Sequence, residues 1–318
     1  MIIMPQPTKQ HPLCGEDLLW SGLSFQILSE EELARTQGAV EDKVHFHRGV
    51  WWRQAAPFFC LPCSALSPIG QRESWPHPVR ALGGFMHVAA LGTPSNGIYR
   101  AIIREDLSNY TIRSLSRDRR HAVRRALGNL GVRQVENLGE LLTDGYEVYV
   151  SWRQRVQWGR DKSERAAFEA WICREFRQPK SFVLGAYSGN KLVAFMLPKV
   201  VGNLATPSYV ASHSDFLLCL PNDALFHAFL CIARQTPGVA TACFGPVSSK
   251  ASLDQFKMHY GSIEEFPSYT WINPLVRPMF NKWIRPRYPW LRGDSPETAL
   301  APQHRGSSLV IRRNHTDG

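Results

Sequence analysis

Residues 244–261, FGPVSSKASLDQFKMHYG, decide how the second half of the chain is interpreted. An apolar strand is predicted to end in Phe-Gly-Pro, and a polar loop leads from it into a short helix that ends at Gly261. This helix carries Phe256 as its aromatic anchor and Lys257 beside it. A buried strand that leads into an amphipathic helix is typical of a sheet with helices packed on it.

Working outward from this stretch, residues 132–273 predict the element order β-α-α-β-β-β-α-β-α-β. The hairpin turns at residues 188–190, and the helix after the fourth strand begins at Pro221. The strand, helix and strand that follow the hairpin predict a right-handed parallel crossover. The hairpin itself makes the sheet mixed, so the fold class is α/β (α+β), a mixed sheet flanked by helices.

The chain before this region is predicted to form a separate unit. VHFHRGVWWRQAAPFFCLPCSAL is predicted to form two strands around a turn, and VRALGGFMHVAAL a further strand. SLSRDRRHAVRRALGNLG predicts an Arg-rich helix with Ser116 as its N-cap, which bridges to the second half. The expected organisation is an N-terminal domain at 1–130, a C-terminal domain at 131–275, and a basic, aromatic arm with a disordered tail at 276–318.

Composition limits the function classes. The 318 residues carry a formal net charge of +10, which favours attraction to polyanions such as nucleic acid, phosphorylated substrates or an acidic membrane surface. Seven cysteines spread over the chain are not a disulfide framework, and the N-terminus lacks a secretory signal, so a cytoplasmic location is expected. The longest apolar run is about half of what a membrane span needs, so no transmembrane segment is expected.

Three stretches together resemble one family. LSRDRRHAVRRAL resembles an Arg-rich helix that leads into a second domain, YSGNKLVAFML a central hairpin, and residues 244–261 a strand, loop and helix with a Phe-Lys pair. In this order they are similar to the GNAT superfamily of acyltransferases, and within it to the FemAB-like branch, which adds amino acids to peptidoglycan precursors. The resemblance implies tandem GNAT-like domains, of which the C-terminal one is the clearest. It also implies an acyl or aminoacyl donor, such as aminoacyl-tRNA or a carrier-bound acyl group, an amine-bearing acceptor, and no DNA partner.

The resemblance places the reaction centre on the strand TPSYVASHSDF, residues 206–216. In this fold an amine attacks an activated carbonyl directly, so the protein must orient both substrates, accept a proton and stabilise an oxyanion. Pro207 removes one backbone donor, which suits a strand that parts from its neighbour. The backbone of residues 208–213 would hold the donor, with Ser208 and Ser212 as substrate-binding residues. His213 is a candidate for the base, and a structural histidine is the alternative.

The segment LLCLPNDAL argues against ordinary coenzyme A. Acetyltransferases of this fold bind the coenzyme A pyrophosphate at the N-terminus of the helix that follows the reaction strand. Here that position has no glycine and no basic residue, and Asp223 places negative charge in the first helical turn. The expected cofactor set is therefore empty, and no metal is expected.

Cationic residues near this centre are candidates for binding anionic parts of the substrates. The resemblance implies that Lys257 lies at the substrate cleft with Tyr260 nearby, and an exposed lysine on an amphipathic helix is the alternative. Arg120 and Arg124 of the Arg-rich helix would contact a phosphate backbone or diphosphate, unless they only form a solvated helix face.

Other motifs are interpreted as structural. Cys60 and Cys63 resemble a redox C-x-P-C motif, but no long helix follows them and no second cysteine pair completes a zinc site. His45 and His47 alternate on one strand without a third ligand nearby, which makes a poor metal site. The arm of residues 276–292 alternates basic and aromatic residues, which suits stacking on bases, holding tRNA or resting on a membrane surface, or packing over the domain.

Two functions follow. The first is an acyl- or aminoacyl-transferase that moves an acyl group from an activated donor to an amine acceptor by direct attack. The second is a non-catalytic GNAT-fold protein that binds an anionic partner such as tRNA, and the absence of a phosphate loop favours it.

Overall fold

In the computed structural model, eleven strands of the described residues form one continuous mixed sheet. The described residues are 15–41, 44–56, 58–156, 165–248, 250–279 and 281–282. The strands are β1 (Val44–His47), β2 (Val50–Ala56), β3 (Phe59–Pro62), β4 (Gly84–Val88), β5 (Gly97–Arg104), β6 (Gly131–Gln134), β7 (Leu184–Ser188), β8 (Lys191–Val201), β9 (Leu204–Ser212), β10 (Thr241–Pro246) and β11 (Ser262–Ile272). The helices are α1 (Glu30–Glu41), α2 (Arg117–Asn129), α3 (Leu138–Leu142), α4 (Asp144–Val156), α5 (Arg165–Arg177), α6 (Pro221–Gln235), α7 (Ala251–Met258) and α8 (Arg277–Met279).

The strand order is β1-β2-β3-β4-β11-β5-β10-β9-β8-β7-β6. β11 lies between β4 and β5 and pairs antiparallel with both. The last strand of the second half therefore completes the sheet of the first half, and β5 in turn pairs with β10. Strands from before and after residue 130 therefore belong to one sheet. The division of the chain into two domains at residue 130 stays a prediction.

The helices cover both faces of the sheet. Alternate residues of β8 point to opposite sides, because Met196 packs in the cluster that contains α6, and Phe195 packs in the cluster with α4 and α5. α1 contacts α5 and lies on its side of the sheet. α2 and α7 join the α6 side through Val123 and Phe256. The predicted mixed sheet flanked by helices is confirmed.

Local sequence signals account for several boundaries. Ser116 caps α2, since its hydroxyl accepts a hydrogen bond from the Arg119 backbone N–H at 3.3 Å. Pro221 opens α6, as predicted, and follows Leu220, which has a φ of 58°. The hairpin between β7 and β8 turns at Gly189, where φ is 60° and glycine is the favoured residue.

The first half departs from the sequence-based prediction in three places. The stretch predicted as two strands forms three, because β3 follows β2 directly and returns along it. β5 and α1 were not predicted at all, although β5 joins the two halves of the sheet. The tail predicted to be disordered lies, beyond residue 282, outside the described residues.

None of the helices in the described part of the chain has both the length and the apolar character to cross a bilayer.

Candidate functional site

β9 and β10 run parallel and part after two residue pairs. They are paired only at Leu204 with Thr241 and at Ala205 with Ala242. Beyond these positions β9 continues to Ser212 with β8 as its strand partner. The predicted divergence of these strands is confirmed, and it leaves the β10-facing edge of β9 without a strand partner.

Both strands carry a bulge beside this split. In the β8–β9 ladder, Leu197 pairs with Tyr209 and Pro198 with Pro207, so Ser208 is the extra residue on β9. In the β10–β5 ladder, the register slips between Cys243 and Pro246. Gly245 lies within that slip at a φ of 91°, a conformation that favours glycine. The bulges bend the two strands where they separate.

The split opens into a cavity of about 480 Å³ on the α5 side of the sheet, which we call the split cavity. Its walls come from both halves of the chain, with β2, β5 and α1 from the first half and β8, β9, β10 and α5 from the second. The lining residues used below are Gln37, Arg53, Leu66, Tyr99, Trp171, Glu175, Lys199, Ser208, Tyr209, Cys243, Gly245 and Pro246. This volume lies within the range of about 300–1,000 Å³ that is common for small-molecule sites.

Three charged side chains line the split cavity, and two of them pair with each other. Lys199 Nζ lies 3.1 Å from Glu175 Oε2, with side chains only 20% and 12% exposed. Arg53 is half-buried, and among the described residues no hydrogen bond or ion pair partner is found for it. Burial raises the pKa of Tyr99, the Cys243 thiol raises it further, and the Arg53 guanidinium acts in the opposite direction.

Two neutral polar atoms in the same walls also lack partners. Gln37 Oε1 and Tyr209 Oη are buried and accept or donate no hydrogen bond within the described part of the chain. Burial, with the Tyr149 phenol as the second cause, raises the pKa of Tyr209, so its hydroxyl stays protonated. Buried polar atoms are normally satisfied in folded proteins, and unsatisfied ones are typical of sites that bind water or ligand.

Lys257 approaches the split from the other side of the sheet. Its neighbour Phe256 packs on Phe226 of α6, with ring centroids 5.1 Å apart. Lys257 Nζ lies 3.5 Å from the Pro246 carbonyl oxygen and 3.8 Å from where a Cβ on Gly245 would stand. Burial lowers the pKa of Lys257, and Asp254 partly opposes this effect.

Comparison with known proteins gives a likeness of fold. No family model matches the sequence, and no curated protein matches it. Among solved structures, FemX superposes with a TM-score of 0.52 at 12% identity, over 84% of this chain and 96% of FemX. The C-terminal domain of a protein named as a lysylphosphatidylglycerol synthetase from Agrobacterium fabrum gives 0.50 at 14% identity, over 78% of this chain and 88% of that domain. The chain therefore shares the fold of FemX and of this C-terminal domain, which agrees with the FemAB-like resemblance of its sequence.

In GNAT-fold acetyltransferases the N-terminus of the helix equivalent to α6 receives the coenzyme A pyrophosphate, and here the residues do not fit that group. Asp223 is 3% exposed, and its Oδ1 accepts hydrogen bonds from Arg119 at 2.5 Å and from the Tyr260 hydroxyl at 2.7 Å. A carboxylate fixed in the first turn repels phosphate from the helix N-terminus. The geometry at the N-terminus of α6 therefore agrees with the prediction from the segment LLCLPNDAL, which argues against ordinary coenzyme A.

Tyr260 was predicted to bind substrate, and the structure places it in the core. Its side chain is 0% exposed, and burial raises its pKa well above the ordinary value, followed by the effect of Asp223. It positions Asp223, and within this arrangement it has no path to the split cavity.

His213 and Ser212 lie at the far end of β9, away from the split cavity. His213 caps the 3-10 helix Ser214–Cys219, where its Nδ1 accepts a hydrogen bond from the Asp215 N–H at 3.3 Å. Ser212 Oγ accepts one from Arg155 at 3.1 Å. His213 lines a separate groove with Tyr146 and Arg155. At about 3.3 Å per strand residue, Ser208 and His213 stand roughly 16 Å apart. The structure does not bring the predicted base into the split cavity.

The two predicted arginines of α2 bind other parts of the chain. Arg120 donates to the Arg113 carbonyl at 3.1 Å, and Arg124 donates to Glu16 at 2.8 Å. Neither lines the split cavity, although both lie on the helix that carries Arg119. Ser208 alone of the predicted site residues lines that cavity directly, and Lys257 lies behind its Gly245 wall.

The residues interpreted as structural do not form a separate centre. Burial raises the pKa of the Cys60 thiol to about 12, and both Cys60 and Cys63 are buried. Burial, followed by Arg80 and the neighbouring histidines, lowers the pKa of His45 to about 4. A raised thiol pKa and a lowered imidazole pKa of this kind are typical of side chains packed away from water.

Among the described residues, one group could in principle hold a metal ion: Asp17, His227 and Cys231, all buried. Their atoms already have protein partners. His227 Nδ1 lies 2.7 Å from the Tyr110 hydroxyl, and Asp17 accepts a hydrogen bond from the Ile112 N–H at 2.7 Å. The cluster joins the segment around Asp17 to α6 without needing an ion.

Sequence reasoning missed Arg119, Arg53 and the Lys199–Glu175 pair. Arg119 had a signal, because a carboxylate buried in a helical turn requires a cationic or hydrogen-bonding partner. Arg53 and Glu175 had none, since they line the same cavity only because β2 and α5 are brought to the same side of the sheet.

Proposed function

We propose that this protein transfers an acyl or aminoacyl group from an activated donor to an amine acceptor, with the reaction at the split between β9 and β10. The observation that carries the proposal is the divergence of these strands after Leu204–Thr241 and Ala205–Ala242. Parting parallel strands exposes a row of backbone N–H groups beside a cavity. Fixed N–H groups are suited to holding a carbonyl oxygen while negative charge develops on it.

The split orients the two reactants. The donor carbonyl would lie along β9 near the Ser208 bulge, and the amine would enter from the split cavity. Holding both groups in attack geometry removes much of the entropic barrier to a reaction between them. The amine attacks the carbonyl carbon, a C–N bond forms, the bond to the leaving oxygen or sulfur of the donor breaks, and the proton lost by the amine passes through a general base to the leaving group.

Lys257 would supply positive charge at this point. Its ammonium lies beside Gly245 and Pro246, where β10 parts from β9. A cation there would stabilise the developing oxyanion or a phosphate of the donor. A half-buried lysine acts more strongly than an exposed one because the surrounding dielectric constant is lower.

The donor is proposed to be other than coenzyme A, because Arg119, Asp223 and Tyr260 fill the helix N-terminus. Aminoacyl-tRNA or a carrier-bound acyl group remain as donors, and the fold likeness to FemX and to a protein named for making lysylphosphatidylglycerol supports the first. The basic exposed face of α2 is available to a phosphate backbone.

The test is a transfer assay on the full chain with labelled aminoacyl-tRNA, labelled acyl carrier and labelled acetyl-CoA, each with a set of amines. We expect product from one of the first two donors and none from acetyl-CoA. Lys257→Ala should lower the rate by about 100-fold, the effect of losing one oxyanion-stabilising group. Lys191→Ala is the matched control, because Lys191 lies in the β7–β8 hairpin and binds Glu147. Full activity of Lys257→Ala would remove this lysine from the mechanism.

His213 is tested in the same assay. A general base contributes about 10²–10⁴-fold, so His213→Gln should cost at least 100-fold if His213 accepts the proton. Because His213 lines a different groove, we also test Glu175→Gln, whose carboxylate lines the split cavity. The variant with the larger loss and a shifted pH–rate profile identifies the proton acceptor.

A second candidate function is a binding protein that keeps the fold without the reaction. The filled N-terminus of α6 favours it, since the usual donor site of the GNAT fold is closed. Tight binding of tRNA, with no transfer from any of the three donors, would support this function and contradict the transferase.

A further inference from the structure

The split cavity contains a cation that no acid of the described chain neutralises. Arg53, Lys199 and Glu175 line it, and Lys199 and Glu175 form a salt bridge of 3.1 Å. Arg53 reaches the cavity from β2, and its guanidinium has no hydrogen bond or ion pair among the residues that the structure describes. The three side chains therefore carry one uncompensated positive charge.

An unpaired guanidinium in a half-buried position is unusual. It offers five N–H donors in a planar fork, and donors withdrawn from water without a partner destabilise a fold. Gln37 Oε1 and Tyr209 Oη, in the same walls, are buried and likewise unpartnered within the described residues. β2, α1 and β9 each contribute to the cavity walls a residue with a side-chain polar atom that has no hydrogen-bond partner in the described part of the chain.

We propose that Arg53 binds a carboxylate or phosphate group carried by the amine acceptor, within the split cavity. The assignment of this anionic group to the amine acceptor rests on the proposed function, whereas the anion-binding site itself does not. A planar guanidinium pairs with carboxylate or phosphate oxygens through two parallel hydrogen bonds, a geometry that fixes orientation as well as charge.

The position of Arg53 assigns it to the acceptor and not to the donor. The split cavity lies on the α5 side of the sheet, whereas Lys257 approaches from the α6 side. An anionic group on Arg53 would therefore hold a molecule in the cavity while its amine faces the split. Trp171 and Leu66 offer apolar surface for the stem between the two groups.

The experiment measures binding and needs no reaction. Isothermal titration compares N-acetylglycine with N-acetylglycinamide, and O-phosphoethanolamine with ethanolamine, so each pair differs by one anionic group. We expect the anionic member of at least one pair to bind more tightly. Preference within the first pair indicates a carboxylate, and preference confined to the second indicates a phosphate, whether from a small molecule or a lipid headgroup.

Arg53→Gln should weaken binding of the anionic probe by about tenfold or more, as expected for a charge-assisted hydrogen bond. Arg53→Lys should retain part of the affinity, because it keeps the charge and loses the planar fork. Arg72→Gln is the matched control, since Arg72 is exposed and lies outside the cavity walls. If Arg53→Gln does not fold, the Nε–H resonance of Arg53 in the wild-type chain should still shift on titration with the anionic probe.

Two results would overturn the inference: absence of binding by all four probes to the wild-type chain, or unchanged anion affinity in a folded Arg53→Gln. The transfer assay separates this outcome from failure of the proposed function. Transfer by a chain whose Arg53→Gln variant binds anions normally refutes the anion site alone. Anion binding lost in Arg53→Gln, in a chain that transfers from no donor, refutes the transferase alone.

Discussion

The N-terminus of α6 and the split cavity differ in how their charges are compensated. At α6, the Asp223 carboxylate is matched by Arg119 and by the Tyr260 hydroxyl. In the split cavity, Arg53, Gln37 and Tyr209 hold polar atoms without partners among the described residues. A buried charge whose partners lie within the chain has a structural role, whereas a cation without such a partner, as Arg53 is among the described residues, is suited to an anion from outside the chain.

The largest expected effect breaks the compensated region. Asp223→Ala leaves the Arg119 guanidinium, 19% exposed, and the buried Tyr260 hydroxyl without their acceptor. Removing one partner of a buried pair costs about 3–5 kcal/mol, so the free energy of unfolding should fall by about 3 kcal/mol. Urea unfolding measures it.

Glu265→Ala is the control for this prediction, because the Arg100–Glu265 pair is largely exposed and should contribute less than about 1 kcal/mol. A loss for Asp223→Ala as small as that of the control would show that the Arg119–Asp223–Tyr260 group does not hold α6, and the contrast between the two regions would fail.

A second compensated cluster predicts a pH dependence. Burial lowers the pKa of His227 to about 4, with Asp17 and Glu16 opposing and Arg234 reinforcing the shift. The unfolded chain binds a proton on this histidine below about pH 6.5 and the folded chain does not, so stability is lost as the pH falls from about 6.5 to 4. The full loss is roughly 3 kcal/mol.

Unfolding midpoints measured across this range check the sign. His227→Gln removes one titrating group and should reduce the slope between pH 6.5 and 4 without abolishing it, because burial also lowers the pKa of His45 to about 4. A wild-type profile that rises toward acid, or one that His227→Gln does not change, would contradict the prediction.

The third effect concerns the strand that bounds the split. Gly245→Ala should destabilise the fold by about 1–2 kcal/mol, because a φ of 91° is unfavourable for a residue with a Cβ. The new methyl would stand 3.8 Å from Lys257 Nζ, an ordinary contact distance, so a decrease in transfer would come from the changed backbone of β10 beside the split. Thermal unfolding gives the first quantity and the transfer assay the second.

Gly128→Ala provides a control of opposite sign. Gly128 lies within α2 at an ordinary φ, and a Cβ there would meet no atom within 4 Å. Alanine should stabilise this helix by about 0.5–1 kcal/mol. Equal changes in stability for Gly245→Ala and Gly128→Ala would show that the backbone conformation at Gly245 does not favour glycine.

The sequence predicted the second half of the fold well because its signals are local. Pro221 marks the start of α6, Gly189 the hairpin turn, and Ser116 the cap of α2, each within a few residues of the element it defines. The divergence after Ala205 was also predictable, through Pro207 and the resemblance of residues 244–261 to a known strand-loop-helix.

The remainder depended on contacts between distant residues. β5 and β11 pair over about 160 positions of sequence, for example Arg100 with Glu265, and no local pattern encodes this. The same holds for Arg53, which lines one cavity with Glu175 only through the packing of α5 on the sheet. His213 was chosen for its residue type on the right strand, but strand geometry places it roughly 16 Å from Ser208.

The smallest expected effect is on the stability of the Arg53→Gln variant. It tests directly whether the split cavity differs from the N-terminus of α6. Arg53→Gln removes a charge that has no partner among the described residues, so it leaves no group stranded and relieves the desolvation of a half-buried guanidinium. The free energy of unfolding should change by no more than about 0.5 kcal/mol, as for substitutions outside any satisfied network. Urea unfolding of Arg53→Gln beside Asp223→Ala makes the measurement in one series. A loss of about 3 kcal/mol for Arg53→Gln would mean that Arg53 supports the fold as Asp223 does, and the split cavity would then be a structural region.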